Sequence, residues 1–258
     1  MSNIAVCWVR VSVEGAPVWG VLETGDVYLV EGEPGAEWAR GAKLGALETL
    51  SLLPPALPTK IVCVGRNYAA HAAEHESPVP AEPLLFLKPP SSLIAHGEAI
   101  VLPSLSQQVE HESELAVVIG RRCRNVSPAE AWDYVLGVTC GNDVTARDLQ
   151  RKDGQWTRGK GFDTFCPLGP WLVTGLHESD LADLEVLCRV NGKVRQQGRT
   201  SEMVFSPATI IAYAAAVMTL MPGDVILTGT PAGVSPLALG DVVEVVIEDI
   251  GVLRNVVK

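Results

Sequence analysis

Three acidic side chains lead into an otherwise aliphatic run. Glu110, Glu112 and Glu114 precede Leu115-Ala116-Val117-Val118-Ile119-Gly120, whose aliphatic and β-branched residues read as a buried strand. In an extended chain, residues two apart share a face. Glu112 and Glu114 therefore project the same way from Cα atoms about 7 Å apart, at ~3.3 Å rise per residue. Crowded carboxylates repel and raise each other's pKa unless a metal ion, Arg or Lys neutralises them, so the pair can converge on one cation. The plain alternative is an edge strand with Glu110, Glu112 and Glu114 on its solvated face. A second cluster lies upstream. His71 and Glu74 are i and i+3 neighbours on a helix read from Tyr68 to about Glu76, with Cβ atoms about 5–6 Å apart. A carboxylate so placed orients an imidazole and supports its protonated form, as a general base requires. The same spacing also suits an exposed helix face that happens to carry His71, Glu74, His75 and Glu76.

These residues need elements to position them. A short strand over 60–64 leads into Gly65-Arg66-Asn67-Tyr68, with Asn67 as the N-cap of the helix and Ser77-Pro78 as its stop. Ala69, Ala70, Ala72 and Ala73 give that helix high intrinsic helicity, but no large aliphatic side chain anchors it. It reads as a mobile lid. A strand over 135–140 ends at Gly141-Asn142-Asp143, placing Asp143 at a strand end or in a loop, where scaffolds present ligands. Arg147 and Asp148 open a short helical turn, in which they can also simply pair with each other. Lys160 sits in a loop over 156–163 between Gly159 and Gly161, which permit close backbone approach and unusual φ. Residues 226–234 pass from a strand into a small-residue loop whose hydroxyls and N–H groups suit a carboxylate or oxyanion.

The remaining pattern is β-rich. Short β-type runs at 6–9, 18–22 and 27–30, separated by Gly15 with Pro17 and by Gly25-Asp26, predict an antiparallel meander. A helical patch over 36–53 and the stiff Pro54–Pro58 connector follow, so the expected domains are 1–57 and 58–258. Further strands are expected over 84–87, 99–102, 242–247 and 252–257. A hairpin turns at Asn191-Gly192, and helices start at Ser127-Pro128 and Ser206-Pro207, the latter running to Met221. A net charge of −10 and pI near 5.0, with no Lys/Arg cluster, argue against nucleic acid or an anionic membrane as partner. Six widely spaced cysteines without a Cys-x-x-Cys pair read as reduced thiols of a cytoplasmic protein. The first ten residues lack a signal-peptide pattern, and the apolar stretch 210–221 is too short to span a bilayer.

Taken in order, several motifs resemble one family. They are Gly65-Arg66-Asn67-Tyr68-x-x-His71-x-x-Glu74, Leu85-Phe86-Leu87-Lys88-Pro89, Glu112-x-Glu114 with its strand, and Asn142-Asp143-x-Thr145-Ala146-Arg147-Asp148. Lys160-Gly161-Phe162-Asp163 and Thr228-Gly229-Thr230-Pro231 complete the set. Together they resemble the fumarylacetoacetate hydrolase superfamily over about residues 58–258. The resemblance implies an α+β, β-rich fold: a mixed β-roll of the family's C-terminal type, with a small N-terminal antiparallel β domain, in a homodimer. It implies Glu112, Glu114 and Asp143 as ligands of Mg²⁺ or Mn²⁺, in line with three hard oxygen donors, and leaves Glu110 without a ligand position. His71 becomes the general base, Glu74 its orienting partner and Lys160 the active-site lysine, with Arg66, Arg147, Gln150 and Thr230 as substrate contacts. His111 before the first ligand, and Ser235 where a Gly is frequent, depart from the pattern.

The expected function is a metal-dependent enzyme acting on a small anionic 2-oxo or 2-hydroxydienoic diacid. The specific expectation is an isomerase/decarboxylase of aromatic catabolism resembling those for 2-hydroxyhepta-2,4-diene-1,7-dioate. The alternatives are an acylpyruvate hydrolase or oxaloacetate decarboxylase and, from another class, a non-catalytic metal-stabilised binding protein.

Overall fold

The computed structural model describes residues 5–258. β1 (Val6–Val13), β2 (Ala16–Glu23), β3 (Asp26–Glu31) and β4 (Ala39–Ala46) form an antiparallel meander. Next come β5 (Ile61–Gly65), α1 (Ala69–Glu74), β6 (Leu84–Lys88), β7 (Leu93–Ile94), β8 (Ala99–Ile100), β9 (Val109–Glu110) and β10 (Ser113–Ile119). They are followed by α2 (Pro128–Ala131), β11 (Val135–Asn142), β12 (Thr145–Ala146), α3 (Arg147–Asp153), α4 (Thr157–Lys160) and β13 (Cys166–Thr174). The chain closes with β14 (Glu185–Val190), β15 (Lys193–Arg199), α5 (Pro207–Val217), β16 (Val225–Leu227), β17 (Val242–Ile247) and β18 (Gly251–Val257).

A mixed eleven-stranded sheet runs in the order β4-β3-β2-β1-β13-β11-β10-β16-β5-β6, with β7 paired to β13. The N-terminal meander joins it through the antiparallel pair β1–β13. A second sheet of five strands, β15-β14-β17-β18-β8, faces it, and β9 pairs with β12. The β-rich α+β class with an N-terminal antiparallel region is as expected.

All seven residues of β10 are buried. Leu115, Val117 and Ile119 meet Val245, Ile247 and Leu253 of the five-stranded sheet and Ile210 and Ile211 of α5. Ala116 and Val118, on the opposite face, meet Ile61, Cys63, Leu168 and Leu172. Each such aliphatic side chain stabilises by roughly 1.5–3 kcal/mol when fully buried. A one-residue slip would exchange the two faces, so packing fixes the register of β10 and hence of the carboxylates at its start.

Several local expectations change. The helical patch over 36–53 is β4 and one 3-10 turn, Leu47–Thr49. Its Ala, Leu, Lys and Arg favour a helix, but Gly41 and Gly45 oppose one, and pairing with β3 satisfies the backbone instead. Asn67 does not cap α1: Tyr68 is the N-cap residue, while the Asn67 amide donates to Phe205 O and Thr228 O and its carbonyl accepts from Phe205 N. α5 stops at Val217 rather than Met221, because the chain leaves it to pair Leu220 with Cys123. The hairpin turn falls at Asn191 and Gly192, both at positive φ, and Ser127 forms a capping box with Glu130. Among the described residues no helix is long and apolar enough to cross a membrane, and no two cysteines are bonded to each other.

The start of β5 is fastened to the start of β16 by one buried carboxylate. Asp224 accepts from Thr59 N (2.9 Å), Thr59 Oγ1 (2.7 Å), Lys60 N (3.1 Å) and Met221 N (2.7 Å), and pairs with the Lys60 ammonium. Burial alone would raise its pKa, but the hydrogen bonds from Lys60, Met221 and Thr59 outweigh it and hold the group below the usual range. Asp224→Ala should therefore cost about 3 kcal/mol in urea unfolding at pH 7, since several donors lose a charged acceptor. A depressed carboxyl stabilises above its unfolded pKa of about 3.9, and that contribution fades as pH falls toward the folded value. The difference between wild type and variant should shrink below about pH 4; a constant difference down to pH 2 would contradict this role.

Candidate active site and metal centre

The extended strand expected from Glu110 is interrupted at His111 and Glu112. Glu110 ends β9 and pairs with Thr145 of β12, whereas β10 begins at Ser113. Simple alternation therefore does not relate Glu110 to Glu112. The register of β10 against β11 sets Ser113 opposite Asn142, which brings the residue after β11 against Glu112. Asp143 N donates to Glu112 O at 2.9 Å, and Glu112 N donates to Asn142 Oδ1 at 3.0 Å. One carboxylate oxygen each from Glu112, Glu114 and Asp143 lie within 4.8 Å of one another. Glu112 is 4% and Glu114 2% exposed, so a solvated edge strand is excluded.

Buried cations surround this cluster. Lys160 Nζ bridges Glu112 Oε2 and Asp143 Oδ2, 2.7 Å from each, and Lys88 Nζ lies 2.5 Å from Asp143 Oδ1. Arg147 reaches Glu112 Oε1 at 2.5 Å and Glu110 Oε2 at 2.7 Å. Burial alone would raise the Glu112 pKa, but Lys160 and Arg147 hold it well below the carboxylate range. Burial would likewise lower the Lys160 pKa, but Asp143 and Glu112 raise it. Glu114 has no cationic partner. It accepts from Gly229 N at 2.6 Å, and burial followed by the charges of Asp143 and Glu112 pushes its pKa well up. Gly229 is at φ +100°, and a Cβ there would lie 2.7 Å from the Asn67 side chain, so glycine is required where this backbone donor meets the carboxylate.

The structure brings His71 into the same cleft, about 780 Å³ in volume. His71 is buried rather than exposed, and its Nδ1 lies 3.2 Å from Glu74 Oε2. Glu74 also accepts from Gly233 N at 3.1 Å, which ties α1 to the loop after β16. Burial lowers the His71 pKa, partly opposed by Glu112 and by Glu74. The ring is neutral near pH 7, with Nδ1–H donated to Glu74 and Nε2 left as the acceptor.

The other expected contacts fall into two groups. Arg66, Gln150 and Thr230 line the cleft, as does Arg147. Arg147, however, is committed to Glu110, Glu112 and Gln150 rather than to Asp148, which instead accepts from Ser106 and Gln107. The Thr230 hydroxyl donates to Ser113 O and accepts from Gln196. Lys160 lies at the end of a helical turn, α4, not in an irregular loop. Its flanking glycines serve close packing at negative φ: a Cβ on Gly159 would come 2.9 Å from Gln150 N and one on Gly161 2.6 Å from Thr157 O.

Sequence reasoning gave Lys88 no role and discarded Glu110, although both are buried in the charge network. A lone lysine closing the apolar strand Leu84–Lys88 was the available signal for the first. Arg151, four residues after Arg147 on α3, also faces the cleft and was not singled out. The two departures from the motif pattern meet each other. The Gln196 amide donates to Thr230 and Pro231, so its Oε1 accepts from His111 Nδ1 at 2.9 Å, leaving His111 Nε2 to accept from Ser235 Oγ at 2.9 Å.

Residues 60–258 match the family described as fumarylacetoacetate (FAA) hydrolase C-terminal, and residues 8–55 match Rv2993c-like, N-terminal. The chain belongs to the fumarylacetoacetate hydrolase family. A protein of Archaeoglobus fulgidus is 55% identical over 209 residues, 81% of this chain and 82% of that protein. A mitochondrial oxaloacetate tautomerase of Homo sapiens is 45% identical over 243 residues, covering 88% of this chain and 77% of the relative. The structure of 2-hydroxyhepta-2,4-diene-1,7-dioate isomerase from Mycobacterium marinum matches with a TM-score of 0.89 at 43% identity, over 98% of each chain.

Members of the fumarylacetoacetate hydrolase family typically use a divalent metal, and the cluster here fits one. Its donors are three buried carboxylates, the hard oxygens that Mg²⁺ and Mn²⁺ prefer. Four buried carboxylates face only three cations, and Glu114 is the one left unpaired. Beside it the Tyr68 hydroxyl is buried without a hydrogen-bond partner, its pKa raised by burial and then by Glu114. Without metal, Glu114→Gln should be as stable as wild type or more so, because it removes a carboxyl whose ionisation is opposed. Asp143→Asn should lose about 3 kcal/mol, since Lys88 and Lys160 lose a buried partner. Both variants should bind Mn²⁺ at least ~100-fold more weakly in isothermal titration, each having lost a charged first ligand. Wild-type Mn²⁺ affinity in either would remove that residue from the ligand set.

Proposed function

We propose that this protein is a Mg²⁺- or Mn²⁺-dependent enzyme that moves a proton on a small 2-oxo or 2-hydroxydienoic diacid, a compound like 2-hydroxyhepta-2,4-diene-1,7-dioate. The observation that carries this reading is one cleft lined both by Glu112 and Glu114 of the buried carboxylate triad and by an imidazole fixed at one nitrogen and available at the other. Glu112, Glu114 and Asp143 would hold the divalent ion, which would supply Lewis acidity to a 2-oxo acid when bound. His71 takes the proton from carbon at Nε2 and returns it at another position, while Glu74 fixes the tautomer and supports the imidazolium in between. Lys160 keeps its charge despite burial and offers an ammonium to negative charge developing on the substrate oxygen. Arg66 and Arg151, lining the cleft without a carboxylate partner among the described residues, hold the distal carboxylate of the diacid.

Oxaloacetate tautomerisation or decarboxylation, or acylpyruvate hydrolysis, is the second reading. The likeness to the human tautomerase favours the first of these. The readings differ in whether His71 delivers water to a carbonyl or only transfers protons. The family resemblance also supports a homodimer as the working unit, which light scattering checks.

The deciding assay compares the dienedioate, enol-oxaloacetate and an acylpyruvate side by side, with Mg²⁺ or Mn²⁺ and with chelator. Metal-dependent isomerisation of the dienedioate should exceed the other rates, and equally weak rates on all three would sink the specific assignment. His71→Ala should lower kcat by about 10²–10⁴-fold, as for loss of a general base, with Mn²⁺ affinity retained. Unchanged turnover in that variant would favour another mechanism, and no turnover by wild type a binding protein. Arg66→Gln should raise KM about tenfold for diacids, the loss of one charged contact, and leave mono-acid 2-oxo substrates nearly unaffected.

A further inference from the structure

Helix α1 and its C-cap residue, His75, carry a second set of metal-ligating side chains. His71, Glu74 and His75 read His-x-x-Glu-His, and the i, i+4 spacing of two histidines on one helix face is the one by which some zinc enzymes grip their ion. The structure brings the three together: one donor atom from each lies within 4.8 Å of the others, and the two imidazole rings are 4.7 Å apart, nearly perpendicular. An independent observation concerns His75. Its Nε2 is shielded from solvent and has no hydrogen-bond partner, a costly state for a ring nitrogen unless something else satisfies it. All three residues line the cleft.

We propose that His71, Glu74 and His75 form a second cation site, for imidazole-seeking ions such as Zn²⁺, whose occupation withdraws His71 from proton transfer and switches the enzyme off. The two sites share one cleft but not one chemistry. Three carboxylate oxygens suit Mg²⁺ and Mn²⁺, whereas two imidazoles and a carboxylate suit Zn²⁺, Ni²⁺ and Cu²⁺. Burial, the first cause at both histidines, holds their pKa values below the ordinary range, so both rings are neutral near pH 7, the form that ligates. Tetrahedral coordination at about 2.0–2.1 Å sets donors about 3.3 Å apart, so the side chains must draw in by up to about 1.5 Å. Rotation of two imidazoles supplies that movement, and the Gly233 N–H already holds Glu74 beside them. Binding of the ion is independent of the proposed reaction; the loss of activity rests on that reading.

The test uses the full chain in excess Mg²⁺, titrated with zinc chloride and followed by equilibrium dialysis and by turnover. Wild type should take up one Zn²⁺ per chain without releasing Mg²⁺, and turnover should fall in step with occupancy. His75→Gln should weaken Zn²⁺ binding at least tenfold and keep Mg²⁺-supported turnover within twofold of wild type. Zinc affinity unchanged in His75→Gln overturns the site, and so does inhibition relieved by added Mg²⁺, which would place Zn²⁺ in the carboxylate triad. Should the protein turn over none of the substrates offered, the dialysis arm still decides whether the site exists.

Discussion

Four carboxylates buried around the start of one strand impose the constraint to which the rest of the structure answers. Removing an ionised side chain from water costs several kcal/mol even after the protein relaxes, and a close partner offsets this only when the geometry is good. Glu110, Glu112 and Asp143 have such partners at 2.5–2.7 Å. The partners come from β6, α3 and α4, segments far apart in sequence. Charge thus couples the folding of those segments to that of β10, and the site forms only when all of them are in place. Glu114 is the exception, and its unbalanced position leaves the cluster fit to accept a divalent ion rather than closed as a salt-bridge network. With a divalent ion and all four carboxylates ionised, the buried groups would carry one net positive charge, which suits the anionic substrate proposed for a protein of net charge −10.

The carboxylates and the histidine are held by different physics. β10 is packed on both faces, and the Thr228 hydroxyl and N–H both donate to Leu115 O, so Glu114 sits on backbone that cannot shift without opening the core. α1 buries only His71 and Ala72. What keeps it over the cleft is a bridge between Tyr68 and Met203 and the polar contact from Gly233 to Glu74. Beyond the buried Tyr68 ring at its N-cap, the helix itself covers little apolar area, so its C-terminal end can open locally at modest cost. A lid needs that property, and it accords with the alanine-rich sequence.

Much of this was legible because the relevant signals are local. Aliphatic runs with period two or continuous apolarity marked β5, β10, β11, β17 and β18, and Asn191-Gly192 marked its hairpin, because left-handed φ values select those residues. Most of the failures are cases in which a partner outside the segment decided the outcome. Residues 39–46 favour a helix by composition yet form β4, because β3 offers an edge. Asn67 has the chemistry of an N-cap but spends its amide on Phe205 and Thr228. Lys88 and Glu110 look like ordinary strand-end charges until the fold sets Asp143 and Arg147 against them. The pairing of His111 with Ser235, 124 residues apart, could not be seen from either position alone.

The division between fixed and adjustable parts bears on how one scaffold supports several reactions. Under the proposed function, an isomerase, a tautomerase and a hydrolase of 2-oxo acids all need an enolate stabilised, and Glu112, Glu114, Asp143 and Lys160 are the buried groups on which that need would fall. What differs is the far end of the substrate and the path of the proton. Both depend on residues outside the strand: Arg66 at φ +58° just after β5, Arg151 on α3, Trp156 before α4, and the His71–Glu74 pair on α1. These side chains line the cleft without joining the buried charge network, so they can change without unfolding it. Arg147 and Gln150 cannot vary so freely, because Arg147 also pays the electrostatic cost of Glu112 and Gln150 orients Arg147. Under the proposed function, substrate choice should therefore track Arg66, Arg151 and α1, while Glu112, Asp143 and their partners stay bound to the requirement that four buried carboxylates be balanced.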